Sequence, residues 1–138
     1  MKMVTATVLL VLAAGCSDVV AERYASVEDA RRAGLFDRGW LPDVLPPSAH
    51  DIEVRNDLDL NVSAGEFLVS KSDFERFTAR LVPYSTESLD ADVHLAAYLD
   101  AQKIKGLRAG VVRESDYIWA FVCDPQTGRC TYTLAAER

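Results

Sequence analysis

The cysteines at positions 16, 123 and 130 have the most reactive side chains in this 138-residue chain. A thiol can be acylated, ligate a metal ion or form a disulfide, and its surroundings decide between these fates. Cys123 and Cys130 flank the sequence Pro125-Gln126-Thr127-Gly128, in which proline and glycine suit the first and the left-handed positions of a hairpin turn. We therefore expect a disulfide across this hairpin. The alternative is a redox or metal site. The cysteines do not form a Cys-x-x-Cys motif, and the chain has only two histidines, so the support for metal binding is weak.

Cys16 follows a segment that begins with Lys2 and runs without charge from Met3 to Ala14. A basic start, a short apolar stretch and small residues before the cut are typical of a secretory signal, and the stretch is too short to span a membrane. The sequence Leu12-Ala13-Ala14-Gly15-Cys16 resembles the lipobox of bacterial lipoproteins. The resemblance implies that cleavage makes Cys16 the new N-terminus and that this cysteine carries acyl chains such as palmitate. An ordinary signal peptide with an incidental cysteine is the alternative.

The lipobox resemblance also implies a cellular location and a division of the chain into segments. Serine at position 17 is compatible with export of an enteric-type lipoprotein to the outer membrane, on the side that faces the periplasm. Two or three acyl chains hold a protein durably, since each buried methylene contributes ~0.8 kcal/mol. We expect a signal peptide over residues 1–15, a short tether over 16–23 and a single domain over 24–138.

The charge of the chain limits its partners. There are 15 lysine and arginine residues against 21 aspartate and glutamate residues, a net charge of −6. An acidic surface is repelled by nucleic acid phosphates and by anionic lipid headgroups. We therefore expect no nucleic acid partner, and the membrane is reached through the anchor at Cys16.

The hydrophobic patterns predict one α+β domain, an antiparallel sheet with two or three helices packed on it and a disulfide-linked C-terminal hairpin. The first half of the domain is predicted to contain a short helix that begins with the capping box 26–29, a strand through Ile52 and Val54 whose alternation continues to Val62, and a strand over 66–70. Two helices follow, one that begins with a second capping box at 72–75 and a longer one over about 89–105. The last elements are a short strand at 111–112, a strong strand over 117–123 and the strand that returns over 129–134.

Three patterns suggest a catalytic or metal site, and each lacks a required part. Asp57-x-Asp59-x-Asn61 opens like a calcium loop, but Val62 and Leu68 occupy the positions of its glycine and its closing glutamate. Ser48, His50 and Asp51 are too close in sequence to assemble as a triad. His94 is explained as a surface residue of the long helix. We predict no catalytic, metal-binding or cofactor-binding residue.

The most distinctive internal segment contains Arg38-Gly39-Trp40-Leu41-Pro42 and Leu45-Pro46-Pro47-Ser48-Ala49. Rigid prolines and an aromatic ring can form a preordered docking surface. Its candidate residues are Arg38, Trp40, Pro42, Pro46 and Pro47. In the alternative interpretation, Trp40 and Leu45 cover the core while the prolines fix the path of the chain. Tyr117, Trp119 and Phe121 share one strand face, which favours a core over a binding groove.

Through these two motifs the chain resembles a group of small bacterial lipoproteins with a YbbD head domain. The resemblance extends over roughly Tyr24 to Leu134 and implies kinship without bringing any catalytic residue. The function expected from the sequence is therefore a non-enzymatic, lipid-anchored binding or accessory protein of the bacterial envelope, with an envelope protein as partner. Two alternatives stay open: an inhibitor or immunity lipoprotein that occludes a basic toxin or lytic enzyme, and a small peptidoglycan-directed hydrolase.

The lipobox makes a direct prediction about Cys16. The Cys16→Ala variant should accumulate as an unacylated precursor, because the acceptor thiol is missing. Mass spectrometry of the membrane fraction measures this, with the wild-type chain as the acylated reference. Acylation of the variant to the wild-type extent would show that the resemblance is incidental.

Overall fold

The computed structural model describes residues 19–60, 62–87 and 91–137. Cys16 and Ser17 therefore lie outside the described residues. The elements are β1 (Val19–Ser26), α1 (Val27–Arg32), β2 (His50–Asp57), β3 (Val62–Leu68), α2 (Lys71–Thr78), α3 (Val93–Ile104), β4 (Arg108–Glu114), β5 (Tyr117–Cys123) and β6 (Arg129–Glu137). The strands form one antiparallel sheet in the order β1-β2-β3-β6-β5-β4, which confirms the predicted α+β fold.

One face of the sheet carries the main core. Alternate residues along β3, β5 and β6 point to this face, where α1, α2 and the segment 33–49 cover them. The rings of Phe67, Phe77 and Phe121 meet edge to face, with centroids 5.2 to 6.4 Å apart. Trp119 and Phe121 are almost fully buried, so the aromatic face of β5 is core, as predicted.

The opposite face is divided between a helix and solvent. Over β4 and β5, Leu99 of α3 packs on Val111, Ile118 and Ala120 in a second, smaller core. Over β1, β2 and β3, the exposed surface carries ion pairs, such as Glu53 with Arg23 and Arg55. His94 on α3 is exposed, as predicted.

The helix starts depend on single capping side chains. The oxygen Oγ of Ser26 accepts from the N–H of Asp29, as the first capping box predicted. Helix α2 is capped by Ser70, so the predicted start after Ser72 is wrong by two residues. Helix α3 begins at Val93, after the Asp92 cap.

The predicted continuation of the strand alternation to Val62 is wrong, because a turn separates β2 from β3. Residues 58–60 form a turn, not a continued strand, because Asp57 Oδ1 accepts from the N–H groups of Asp59 and Leu60. Gly65 lies inside β3 rather than before it. A Cβ at this position would stand 2.0 Å from the carbonyl oxygen of Glu53, so the pairing of β2 and β3 requires glycine here.

The first strand begins earlier than the sequence suggested. Residues 19–23 were expected in the tether, but β1 starts at Val19 and pairs with β2 from Asp57 onward. Only two residues then separate Cys16 from the sheet. The domain thus starts closer to the expected lipid attachment than the division at residue 24 implied.

The C-terminal hairpin confirms the predicted disulfide. Cys123 and Cys130 are direct cross-strand partners, and their sulfurs are bonded. Gly128 adopts a positive φ of 74° in the connecting turn. A Cβ there would also lie 2.6 Å from the carbonyl oxygen of Val69, so glycine serves both the turn and the contact with the end of β3.

Replacing Cys123 and Cys130 together with serine should lower the free energy of unfolding by about 2.5 kcal/mol, because the unfolded chain regains the entropy of the closed loop. Urea denaturation measures the change. Reduced wild-type protein is the matched control and should lose a similar amount. Two reactive thiols at these positions in the intact, unreduced protein would contradict the bond.

Candidate functional site

The segment 33–49 carries the predicted binding residues and has almost no regular secondary structure. It leaves α1, runs over the main core and returns to β2 through turns closed by backbone hydrogen bonds, including Trp40 N–H to Leu35 O at 3.0 Å. Leu35, Leu41 and Leu45 are buried along it. The segment therefore works as a covering layer of the domain.

The structure separates the five predicted surface residues. Pro42 is almost fully buried and belongs to the core. Pro46 and Pro47 line one depression beside α2, with Asp73, Arg76 and Arg80. Arg38 and Trp40 line a different one at the end of the sheet. The five residues therefore do not form one docking surface, because the chain turns between Trp40 and Pro46.

The depression at Arg38 and Trp40, here called the Trp40 cleft, is a small, partly open cavity of about 80 Å³. Its walls come from four parts of the chain, namely residues 38–40, residues 56–58 with Val62 and Ser63, Tyr117 of β5 and Leu134 of β6. The hydroxyl of Ser63 donates to the carbonyl oxygen of Trp40 at 2.8 Å. This bond ties the covering segment to β3 at the floor of the cleft.

Arg38 is exposed at the rim but held in place. Its guanidinium carbon lies 4.4 Å from the Trp40 ring centroid, a distance at which a cation is attracted to the ring face. The same guanidinium donates to the carbonyl oxygens of Gly34 and Ala33 at the end of α1. The cleft thus presents a guanidinium in a defined position, and Asp57 adds a carboxylate to the same lining.

Asn56 supplies a buried polar group to the cleft. The residue is 3% exposed, and its Oδ1 has no hydrogen-bond partner among the residues that the structure describes. A buried acceptor without a partner costs about 1 to 3 kcal/mol, so a donor from a water or a ligand is favoured there. The sequence held a signal for this group: Asn56 follows Ile52 and Val54 on the inward face of β2, where a polar residue breaks the apolar pattern.

Glu114 is the acid most closely tied to the covering segment. Its carboxylate accepts from the N–H of Asp43 at 2.9 Å and also from that of Val44. Burial raises its pKa above the ordinary value, and the nearby Asp43 carboxylate adds to this effect. Glu114, at the end of β4, therefore anchors the turn at Asp43 and Val44, a role that no sequence pattern indicated.

Ser48 and His50 do not bond to each other through their side chains. The Nδ1 of His50 lies 2.9 Å from the backbone oxygen of Ser48, while the Ser48 hydroxyl bonds to Ser70. Within residues 19–60, 62–87 and 91–137, no three His, Cys, Asp or Glu side chains are placed to hold a metal ion. In the same described ranges, no helix is long and apolar enough to cross a membrane.

Glu114→Gln should change how stability depends on pH. The raised pKa means that ionised Glu114 costs folding free energy above its folded pKa, and that this cost vanishes below the ordinary value of 4.5. The free energy of unfolding of the variant should therefore exceed that of wild type by more at about pH 7 than at about pH 4. Urea denaturation at both pH values measures this, and an equal difference at both would contradict the role of burial.

Comparison with known proteins agrees with the motifs of the covering segment. Residues 18–68 match the family model described as the YbbD head domain, whereas the resemblance was expected over Tyr24 to Leu134. No curated protein and no solved structure matches the chain. The matched part contains β1, α1, the covering segment, β2 and β3, and so most of the Trp40 cleft, while Tyr117 and Leu134 come from outside it. The first three strands and the segment that crosses them are thus the part of this chain that matches the YbbD head domain.

Proposed function

We propose that this protein is a lipid-anchored binding protein of the bacterial envelope and that it contacts an envelope protein through the Trp40 cleft. The observation that carries the proposal is the fixed Arg38–Trp40 pair beside the buried Oδ1 of Asn56, which no described residue hydrogen-bonds. An unpaired buried acceptor costs free energy, and a ligand that donates a hydrogen bond to Asn56 would remove this cost.

The chemistry of the cleft defines the kind of segment that fits it. The Arg38 guanidinium favours a carboxylate or an aromatic ring, and Asn56 Oδ1 requires an N–H or O–H donor. A loop or chain end of a protein carries both kinds of group. A cleft that already holds its rings and charge in place also loses little entropy on binding.

The position of the cleft supports a partner close to the bilayer. Val19 pairs with Asp57, and Asp57 lines the cleft. An extended chain from Cys16 to Val19 reaches only ~10 Å. If Cys16 carries the lipid, the partner must therefore present its segment near the membrane surface.

The experiment is crosslinking in cells of the native, anchored protein, followed by mass spectrometry of the captured proteins. Wild type should capture one dominant partner, and Arg38→Ala should lower its recovery about tenfold, as expected for a central contact. Arg31→Ala is the matched control, because Arg31 also lies 4.4 Å from an aromatic centroid, that of Phe36, but does not line the cleft. It should leave recovery unchanged.

The result also separates the alternatives. A strongly basic partner would favour the inhibitor or immunity role, in line with the net charge of −6. Equal capture by both arginine variants would remove the cleft from the proposal. No reproducible partner for wild type would contradict a binding role and direct the search to envelope polymers as substrates, the hydrolase alternative. Urea midpoints of both variants control for loss of folding.

A further inference from the structure

Exposed large apolar side chains fall into two groups in the described part of the chain. One group lies on and before α3, and the other surrounds the turn between β2 and β3. The members of the second group, here called the apolar tip, are Val19, Leu58, Leu60 and Val62, which are 43 to 72% exposed.

The described residues of the apolar tip are grouped around Asp57. Val19 and Val62 are the register partners of Asp57 in the two neighbouring strands. Asp57 Oδ1 also fixes the turn, through bonds of 3.1 Å to the N–H groups of Asp59 and Leu60. One carboxylate therefore holds the turn in a shape that presents Leu58 and Leu60 to solvent.

The path of the chain indicates what covers this patch. Val19 belongs to the tip, and only residues 17 and 18 separate it from Cys16. A span of three residues reaches ~10 Å at full extension, so acyl chains on Cys16 would bring a bilayer within that distance of the tip. We propose that the apolar tip lies in the headgroup region of this bilayer and sets the orientation of the domain. The inference rests on the lipid anchor of the proposed function.

The charges near the tip favour a particular lipid surface. The carboxylates of Asp57 and Asp59 flank Leu58, so anionic headgroups would be repelled, whereas the ammonium groups of zwitterionic lipids are compatible. Because the anchor already holds the domain at the surface, even a weak contact is populated through a high effective concentration. The α3 group has no comparable connection to the expected anchor.

The test places a tryptophan at the tip of the acylated, full-length protein in zwitterionic phosphatidylcholine vesicles that contain brominated lipid. Leu60→Trp should have its added fluorescence quenched by roughly half, as for a residue 5 to 10 Å into the interface. Ile104→Trp is the matched control. Ile104 is 88% exposed but precedes Arg108, which lies at the opposite end of the sheet from Val19. Its added fluorescence should be unchanged, after subtraction of the wild-type signal.

The outcomes are distinct. Quenching of Leu60→Trp alone, in protein shown by mass to be acylated, supports the inference. Quenching of neither or of both variants overturns it and leaves the anchor standing. A shift of Leu60→Trp emission that depends on protein concentration, without quenching, overturns it in favour of a second copy at the tip. A mass without acyl chains overturns the anchor itself, and with it the proposed function.

Discussion

The fold depends on covering one wide apolar face of the sheet. The inward residues of β2, β3, β5 and β6 make this face, and helices α1 and α2, with six and eight residues, are too short to cover it. The segment 33–49 supplies the rest of the cover, although it contains no helix or strand. Its prolines suit this task, since a fixed φ lowers the entropy lost when an irregular chain is ordered.

An irregular cover must satisfy its own backbone groups, and other parts of the chain supply the partners. Ser63 donates to the carbonyl oxygen of Trp40, and Glu114 accepts from the N–H of Asp43. These bonds fasten the segment to β3 and β4, the latter at a cost, since the Glu114 carboxylate is partly desolvated and its pKa is raised. The Trp40 cleft lies where the segment meets the end of the sheet, with the buried Asn56 among its lining residues.

The cleft and the apolar tip lie at the same end of the molecule, and Leu58 and Val62 belong to both. This is also the end at which β1 begins. A contact of the tip with a bilayer would therefore restrict the directions from which a partner can enter the cleft. Binding and orientation would then be coupled through the geometry of the sheet, without any conformational change.

Local patterns determined much of the chain by themselves. The bounds of β5 agree with the predicted strand over 117–123, since a run of β-branched and aromatic residues buried on both faces has one favourable conformation. The hairpin and its disulfide followed from a turn sequence between two cysteines, and the Arg-Gly-Trp-Leu-Pro motif pointed to the family that matches residues 18–68. In each case the deciding interactions lie within a few residues of one another.

The tertiary structure alone decided the remaining features. Ser70 and Ser72 are both suitable caps, and the Ser70 hydroxyl, which also bonds to the distant Ser48, is the one that caps α2. Alternation could not show that Gly65 lies within β3, where a Cβ would stand 2.0 Å from the Glu53 carbonyl oxygen of the neighbouring strand. Nor could it show that Pro42 is buried while Arg38 lines a cleft with Tyr117. Such choices depend on contacts between residues distant in sequence, whose free energy is realised only when the sheet and its cover meet.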